Sequence, residues 1–179
     1  RTAFITKDNI NDLIAEAGFS GAIGLLSIDI DGNDYWVWEA LDVVQPIIVI
    51  AEYNSAFGSR RALTIPYDPA FTRHKAHHSG LYWGCSLKAL ERLGTAKGYA
   101  LVGSNNSGNN AYFVHRDHLN GLKPLRAEEA HVESKYREAR DENAKLTYLS
   151  GRARLEVIKH LPIVDLAAGQ TTLEVALRA

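Results

Sequence analysis

LLSIDIDGNDYWVWEAL, Leu25 to Leu41, opens as an apolar run of strand length and carries two acids, Asp29 and Asp31. It then meets Gly32 and passes at once into helical spacing, with Tyr35, Trp38 and Leu41 on one side. A second apolar run, IIVIAEY (Ile47 to Tyr53), follows Pro46 and is rich in β-branched residues. Strand, helix and strand within about 30 residues is the βαβ unit, which predicts parallel strands at 23–30 and 47–53 joined by a right-handed crossover.

Working outward, ITKDNINDLIAEAGFSG reads as a helix, with Thr6 as N-cap and Gly18 at the C-cap position. Residues 54–83 show no sustained period and hold two prolines, and so long a connection is usually functional or disordered. CSLKALERLGTAKG is a helix ending near Gly98. The polar turn NNSGNN joins YALVGS to AYFVHRD, which predicts an antiparallel pair at 99–104 and 111–116. From Leu125 the composition shifts to the charged run RAEEAHVESKYREARDENAKL, expected to be a solvated helix or helix pair. SGRARLEVIKHL reads as a second helix, and PIVDLAAGQTTLEVAL as a hairpin around Ala168 and Gly169. The expectation is therefore an α/β half-sheet domain at 1–124 and a mostly helical, charged extension at 125–179.

The chain has 179 residues, is 46% hydrophobic and carries a formal net charge of -1. That balance argues against a polyanion-binding surface as the main function, so no nucleic-acid partner is expected. The single cysteine, Cys85, precludes an internal disulfide and is expected to be buried and inert. No apolar run reaches the roughly 18 residues that span a bilayer, and no leader pattern opens the chain, so the expectation is a cytoplasmic protein without a membrane partner. The chain starts at Arg1 and contains no methionine, which suggests a piece of a longer protein.

In open parallel sheets ligands sit beyond the carboxyl ends of the strands. Asp29 and Asp31 lie at that end of the first run, and Glu52 and Asn54 at that end of the second. Strand alternation predicts that each pair faces one side. Such a cluster is costly unless a cation, a basic group or a polar ligand meets it. Asp31 and Asn33 are also good N-cap types for the helix that follows, whereas Asp29 and Glu52 interrupt apolar runs and are the stronger site candidates.

LLSIDIDGNDYWVWEAL followed by QPIIVIAEYNS resembles the fourth and fifth strand segments of class I S-adenosylmethionine-dependent methyltransferases, most closely the FkbM-type branch. The lead-in ITKDNINDLIAEAG is similar to that branch, and GYALVGSNNSGNNAYFVHRD is like its sixth and seventh strands. The likeness covers about residues 5–118. It implies a Rossmann-like fold, S-adenosylmethionine as methyl donor, and a saccharide or small-metabolite hydroxyl as acceptor. In that setting Asp29 and Gly32 are the cofactor-side candidates, and Asp29, Asp31 and His74 the catalytic ones. Glu52, Asn54, Arg60, Tyr82 and Trp83 stand on the substrate side. The glycine-rich turn and the acid that hold the cofactor in such enzymes have no counterpart here, so this chain alone is expected to bind it poorly.

The acid rim also resembles that of divalent-metal-dependent O-methyltransferases, which implies Mg²⁺ held by Asp29, Glu52 and Asn54. Tyr53 separates the last two, where that branch has an adjacent pair. His74, His77 and His78 of HKAHH stand at helical spacing and suit proton abstraction or an exposed polar loop. Arg60 and Arg61 suit an anionic substrate or solvent, and Tyr82 and Trp83 suit packing or the floor of a sugar site. The alternative function is a non-catalytic interaction module. Its half-sheet would be completed at the 23–30 edge by a partner chain or a second copy.

Overall fold

The computed structural model describes residues 2–178. Helix α1 (Ile10–Glu16) leads into strand β1 (Gly21–Ile28), and α2 (Asp34–Ala40) crosses over to β2 (Val44–Glu52). The long connection after β2 holds β3 (Leu63–Thr64) and α3 (Arg73–Ala76). Helix α4 (Leu87–Ala96) then feeds the hairpin β4 (Tyr99–Ser104) and β5 (Asn110–His115). Beyond it lie α5 (Ala127–Ala130), α6 (Arg152–Ile158), the hairpin β6 (Pro162–Asp165) and β7 (Gly169–Thr172), and α7 (Leu173–Arg178).

The main sheet runs β1-β2-β5-β4. β1 and β2 are parallel, with Leu25 opposite Ile48, whereas β5 is antiparallel to both of its neighbours. The chain is thus a mixed α/β protein, with the parallel pair and the hairpin where the two apolar runs and the NNSGNN turn predict them. Helices α2 and α4 pack on one face. Trp38 lies against Phe113 with ring centroids 4.9 Å apart, beside buried Val49, Leu90 and Leu101. Ser86 caps α4 by accepting from the Ala89 N–H at 3.1 Å. Each such large apolar side chain stabilises the fold by about 1.5–3 kcal/mol.

Strand β1 stops at Ile28, short of the predicted Ile30. Asp31 adopts φ +56°, which no strand tolerates, and the carboxylate of Asp34 takes the N–H groups of Ile30 and Gly32. Those amides are withdrawn from any ladder, so Asp29 and Asp31 belong to the connection and strand alternation does not align them. The first helix likewise starts at Ile10 with Asn9 as N-cap, a turn later than a Thr6 cap predicts.

The charged segment is not the helix or helix pair expected. Only Ala127–Ala130 is helical before Arg152. Its backbone groups are engaged elsewhere: Val132 exchanges hydrogen bonds with the Tyr53 hydroxyl, Ser134 N–H donates to Ser55 Oγ at 2.8 Å, and Lys135 N–H donates to the Ser107 carbonyl. Tertiary partners override a helix-prone composition here. The predicted hairpin forms as β6 and β7, but β6 also pairs with β3, making a second sheet β3-β6-β7. Phe57, Leu63, Ile65, Tyr82, Ile158 and Ile163 form its core, so the long connection and the C-terminal residues bury one another.

Among the described residues β1 pairs only with β2, and Leu25 on it is 53% exposed. The C-terminal elements pack instead on β4 and the long connection, leaving the outer edge of β1 open. No helix of the described residues is long and apolar enough to cross a membrane.

Candidate functional site

The carboxyl ends of β1 and β2 carry a graded set of acids. Asp34, in the first turn of α2, is fully buried, and its two backbone donors, Gly32 at 3.0 Å and Ile30 at 3.2 Å, hold the β1–α2 turn. Burial raises its pKa to about 6 against those two bonds. Glu52, the last residue of β2, is 7% exposed. Its Oε1 accepts a long 3.4 Å bond from Asn109 Nδ2, while Oε2 is buried without a protein partner. Burial first, then the charges of Asp34 and Asp29, pushes its pKa up to about 8. Asp29 is exposed yet close enough for its charge to reach both buried acids.

Glu52 opens onto a cleft of about 170 Å³. Asn109 and Gly108 of the β4–β5 turn, Trp83 of the long connection, and Ser134, Tyr136 and Arg154 from the C-terminal residues complete its walls. Arg73 closes one side: its guanidinium stacks over Trp83 at 4.8 Å, donates to the Gly80 carbonyl at 2.6 Å, and pairs with Asp31 at 3.2 Å. Asp31 is thereby paired at the surface, with its side chain 66% exposed, and does not line the cleft with Glu52.

The other residues singled out from sequence divide sharply. Trp83 does line the cleft. Asn54 sits there too, but its amide is spent: Oδ1 accepts from the Ala56 N–H, and Nδ2 donates to the carbonyls of Leu81 and Trp83. Tyr82 lies in the second core, its hydroxyl donating to the Pro162 carbonyl at 2.5 Å and burial raising its pKa to about 12, so it floors no site. Tyr82→Phe is expected to cost about 1 kcal/mol of stability, read as a shifted urea midpoint, without touching ligand binding. Arg60 is on another surface, beside Arg61, Asp165 and Leu177. His74 faces a neighbouring cleft with Phe4, Ile30 and Phe71. Only Arg73–Ala76 of the histidine segment is helical, so the predicted i, i+4 face of His74 and His78 does not form. His77 instead stacks on His78 with ring centroids 4.2 Å apart.

Three residues that carry the site were not singled out: Asp34, Arg73 and Arg154. Asp34 had a visible signal, being an acid in a first helical turn two residues past a glycine. Arg154 stands four residues before Ile158 on an apolar helical stripe, a charge where a core residue belongs. Arg73 carried none, because its partners come from distant loops.

The residues present do not fit S-adenosylmethionine. A Cβ on Gly32 would stand 2.3 Å from the Phe71 ring, so that glycine is covered rather than open to a cofactor. Among the described residues no strand runs into a Gly-x-Gly turn. Nor do they fit Mg²⁺: Asn54 Oδ1 already accepts from the Ala56 N–H, and no group of three His, Cys, Asp or Glu among the described residues is placed to hold a metal. Comparison with family models, with curated proteins and with solved structures finds no match in any of the three.

Proposed function

We propose that this chain is the acceptor-binding half of an S-adenosylmethionine-dependent O-methyltransferase of FkbM type, with Glu52 taking the proton of the acceptor hydroxyl. The observation that carries this reading is Glu52 itself. It is a buried carboxyl at the carboxyl end of a parallel strand, open to a cleft, with a pKa near 8. A general base works best when its pKa lies near the working pH, and enzymes raise a glutamate there by burial and like charges. The parallel pair β1–β2 and the antiparallel pair β4–β5 support it too, because they form where the segments likened to the family's fourth, fifth, sixth and seventh strands lie. The methyl donor would be held on polypeptide that pairs with the open edge of β1. That edge equally supports the second reading, an interaction module completed by a partner strand.

The test uses the polypeptide that includes this half together with its cofactor-holding segment, incubated with methyl-labelled S-adenosylmethionine and a panel of hydroxylated saccharides and small metabolites. Label is expected in an acceptor hydroxyl, and Glu52→Gln is expected to lower kcat about 10²–10⁴-fold. Absence of transfer from every acceptor, or a Glu52→Gln variant as fast as the parent, overturns the assignment. Tight capture of a strand-forming partner without any transfer would favour the interaction module.

A further inference from the structure

Two residues that line the cleft each hold a buried atom without a protein partner: Oε2 of Glu52 and Nε of Arg154. Both residues are more than nine-tenths buried, at 7% and 5% exposed, and both line the same cavity. A buried guanidinium N–H left unpaired costs more than a neutral one, because the whole charge has lost its water. The cleft is also too large to be explained as a water socket. Its roughly 170 Å³ is more than ten times the ~10–15 Å³ that one water requires. Its walls therefore carry polar groups at high cost around a space of ligand size.

The chemistry of the two groups differs. Arg154 is a permanent donor, anchored through Nη2 to Glu133 Oε1 at 3.1 Å. Glu133 is 59% exposed at its side chain, so water weakens its hold on the buried guanidinium charge. Arg73, the other cation of the cleft, is already occupied by Asp31, the Gly80 carbonyl and the Trp83 ring. Among the described residues Arg154 is thus the cleft-lining cation that keeps a buried, unpaired N–H, and guanidinium groups pair best with carboxylate and phosphate oxygens.

We propose that the cleft recognises a small hydroxylated molecule that carries its own oxyanion, a carboxylate or a phosphate, bound by Nε of Arg154 while a hydroxyl of the same molecule meets Oε2 of Glu52. The inference rests on the reading of Glu52 as the acceptor-facing group, and it narrows the acceptor to an acidic saccharide or hydroxy acid. A neutral sugar leaves the Arg154 donor unpaired and binds more weakly.

The test is binding, measured without any methyl donor. Isothermal titration of the intact chain with glucuronate, glucose 6-phosphate and glucose separates the carboxylate, the phosphate and the neutral ligand. One of the two anions is expected to bind at least tenfold more tightly than glucose, with affinity falling as salt rises. Arg154→Lys keeps the charge but removes the Nε–H and is expected to weaken that anion about 10- to 100-fold. Because a buried arginine can be needed for folding, Glu133→Gln gives a second readout of opposite sign. It removes the competing carboxylate at an exposed position and is expected to tighten anion binding several-fold. Equal binding of all three sugars, no binding of any, or anion binding indifferent to both substitutions overturns the proposal. Anion binding with no methyl transfer would overturn the assigned activity and leave this recognition standing.

Discussion

Glu52→Gln is expected to stabilise the fold increasingly as pH rises, by on the order of 1 kcal/mol for each pH unit between about 5 and 8. The folded chain holds the Glu52 proton up to a pKa of about 8, whereas an unfolded chain releases it near the ordinary value of 4.5. Stability tied to that proton is fully present below the lower value and is lost as pH climbs through the upper one. Glutamine carries no proton to lose, so the two proteins should be alike near pH 4 and furthest apart above pH 8. Urea unfolding at a series of pH values reads the difference directly. A gap between the proteins that does not vary with pH would show that Glu52 ionises in the folded state as it does in water. At neutral pH the natural residue is then expected to be the less stable choice at its position, which is the usual mark of a group kept for chemistry.

Gly108→Ala is expected to cost about 2–6 kcal/mol and to open the cleft. Gly108 sits in the β4–β5 turn at φ +75°, where a side chain alone is strained by about 1–3 kcal/mol. A Cβ there would also meet backbone: the Val132 carbonyl oxygen at 2.6 Å, the Glu133 carbonyl carbon and the Ser134 nitrogen at 2.7 Å. No rotamer relieves that clash, so the 132–134 strand of chain must move, adding about 1–3 kcal/mol of overpacking. That segment is tied to the Tyr53 hydroxyl and to Ser55 Oγ, and it carries the Glu133 carboxylate that pairs with Arg154. The measurable result is a lower Tm together with weakened anion binding. A variant as stable as the parent would mean that the turn and the segment do not touch in solution.

The parallel pair and the hairpin were legible because their signals are local. Ile47 to Tyr53 is a β-branched run led by Pro46, and NNSGNN is turn chemistry between two strand-like runs. The second sheet was not legible: β3 is two residues long, and its partner β6 lies about a hundred positions away, so no window of sequence contains both. The charged segment misled because charge spacing reports helix propensity, while its fate was decided by hydrogen-bond partners on Tyr53, Ser55 and Ser107. At the site, Glu52 was found because it breaks an apolar run. Asp29 drew notice for the same reason, but the buried acid of that connection is Asp34, and only the fold distinguishes the acid that turns inward from those that meet water. Arg154 was passed over as one charge among many on a charged tail.

The pairing of β3 with β6 also sets an order of assembly. The β1–β2 and β4–β5 pairs close short loops and can form while the chain is still being synthesised. Leu63 cannot meet Asp165 until residue 165 has left the ribosome, and Arg154 arrives at the cleft with those later residues. During that interval the first sheet is folded while Phe57 and Ile65, later buried in the second core, are still uncovered. Slow synthesis through residues 116–150 would therefore prolong the interval in which the nascent chain is most prone to misassociate.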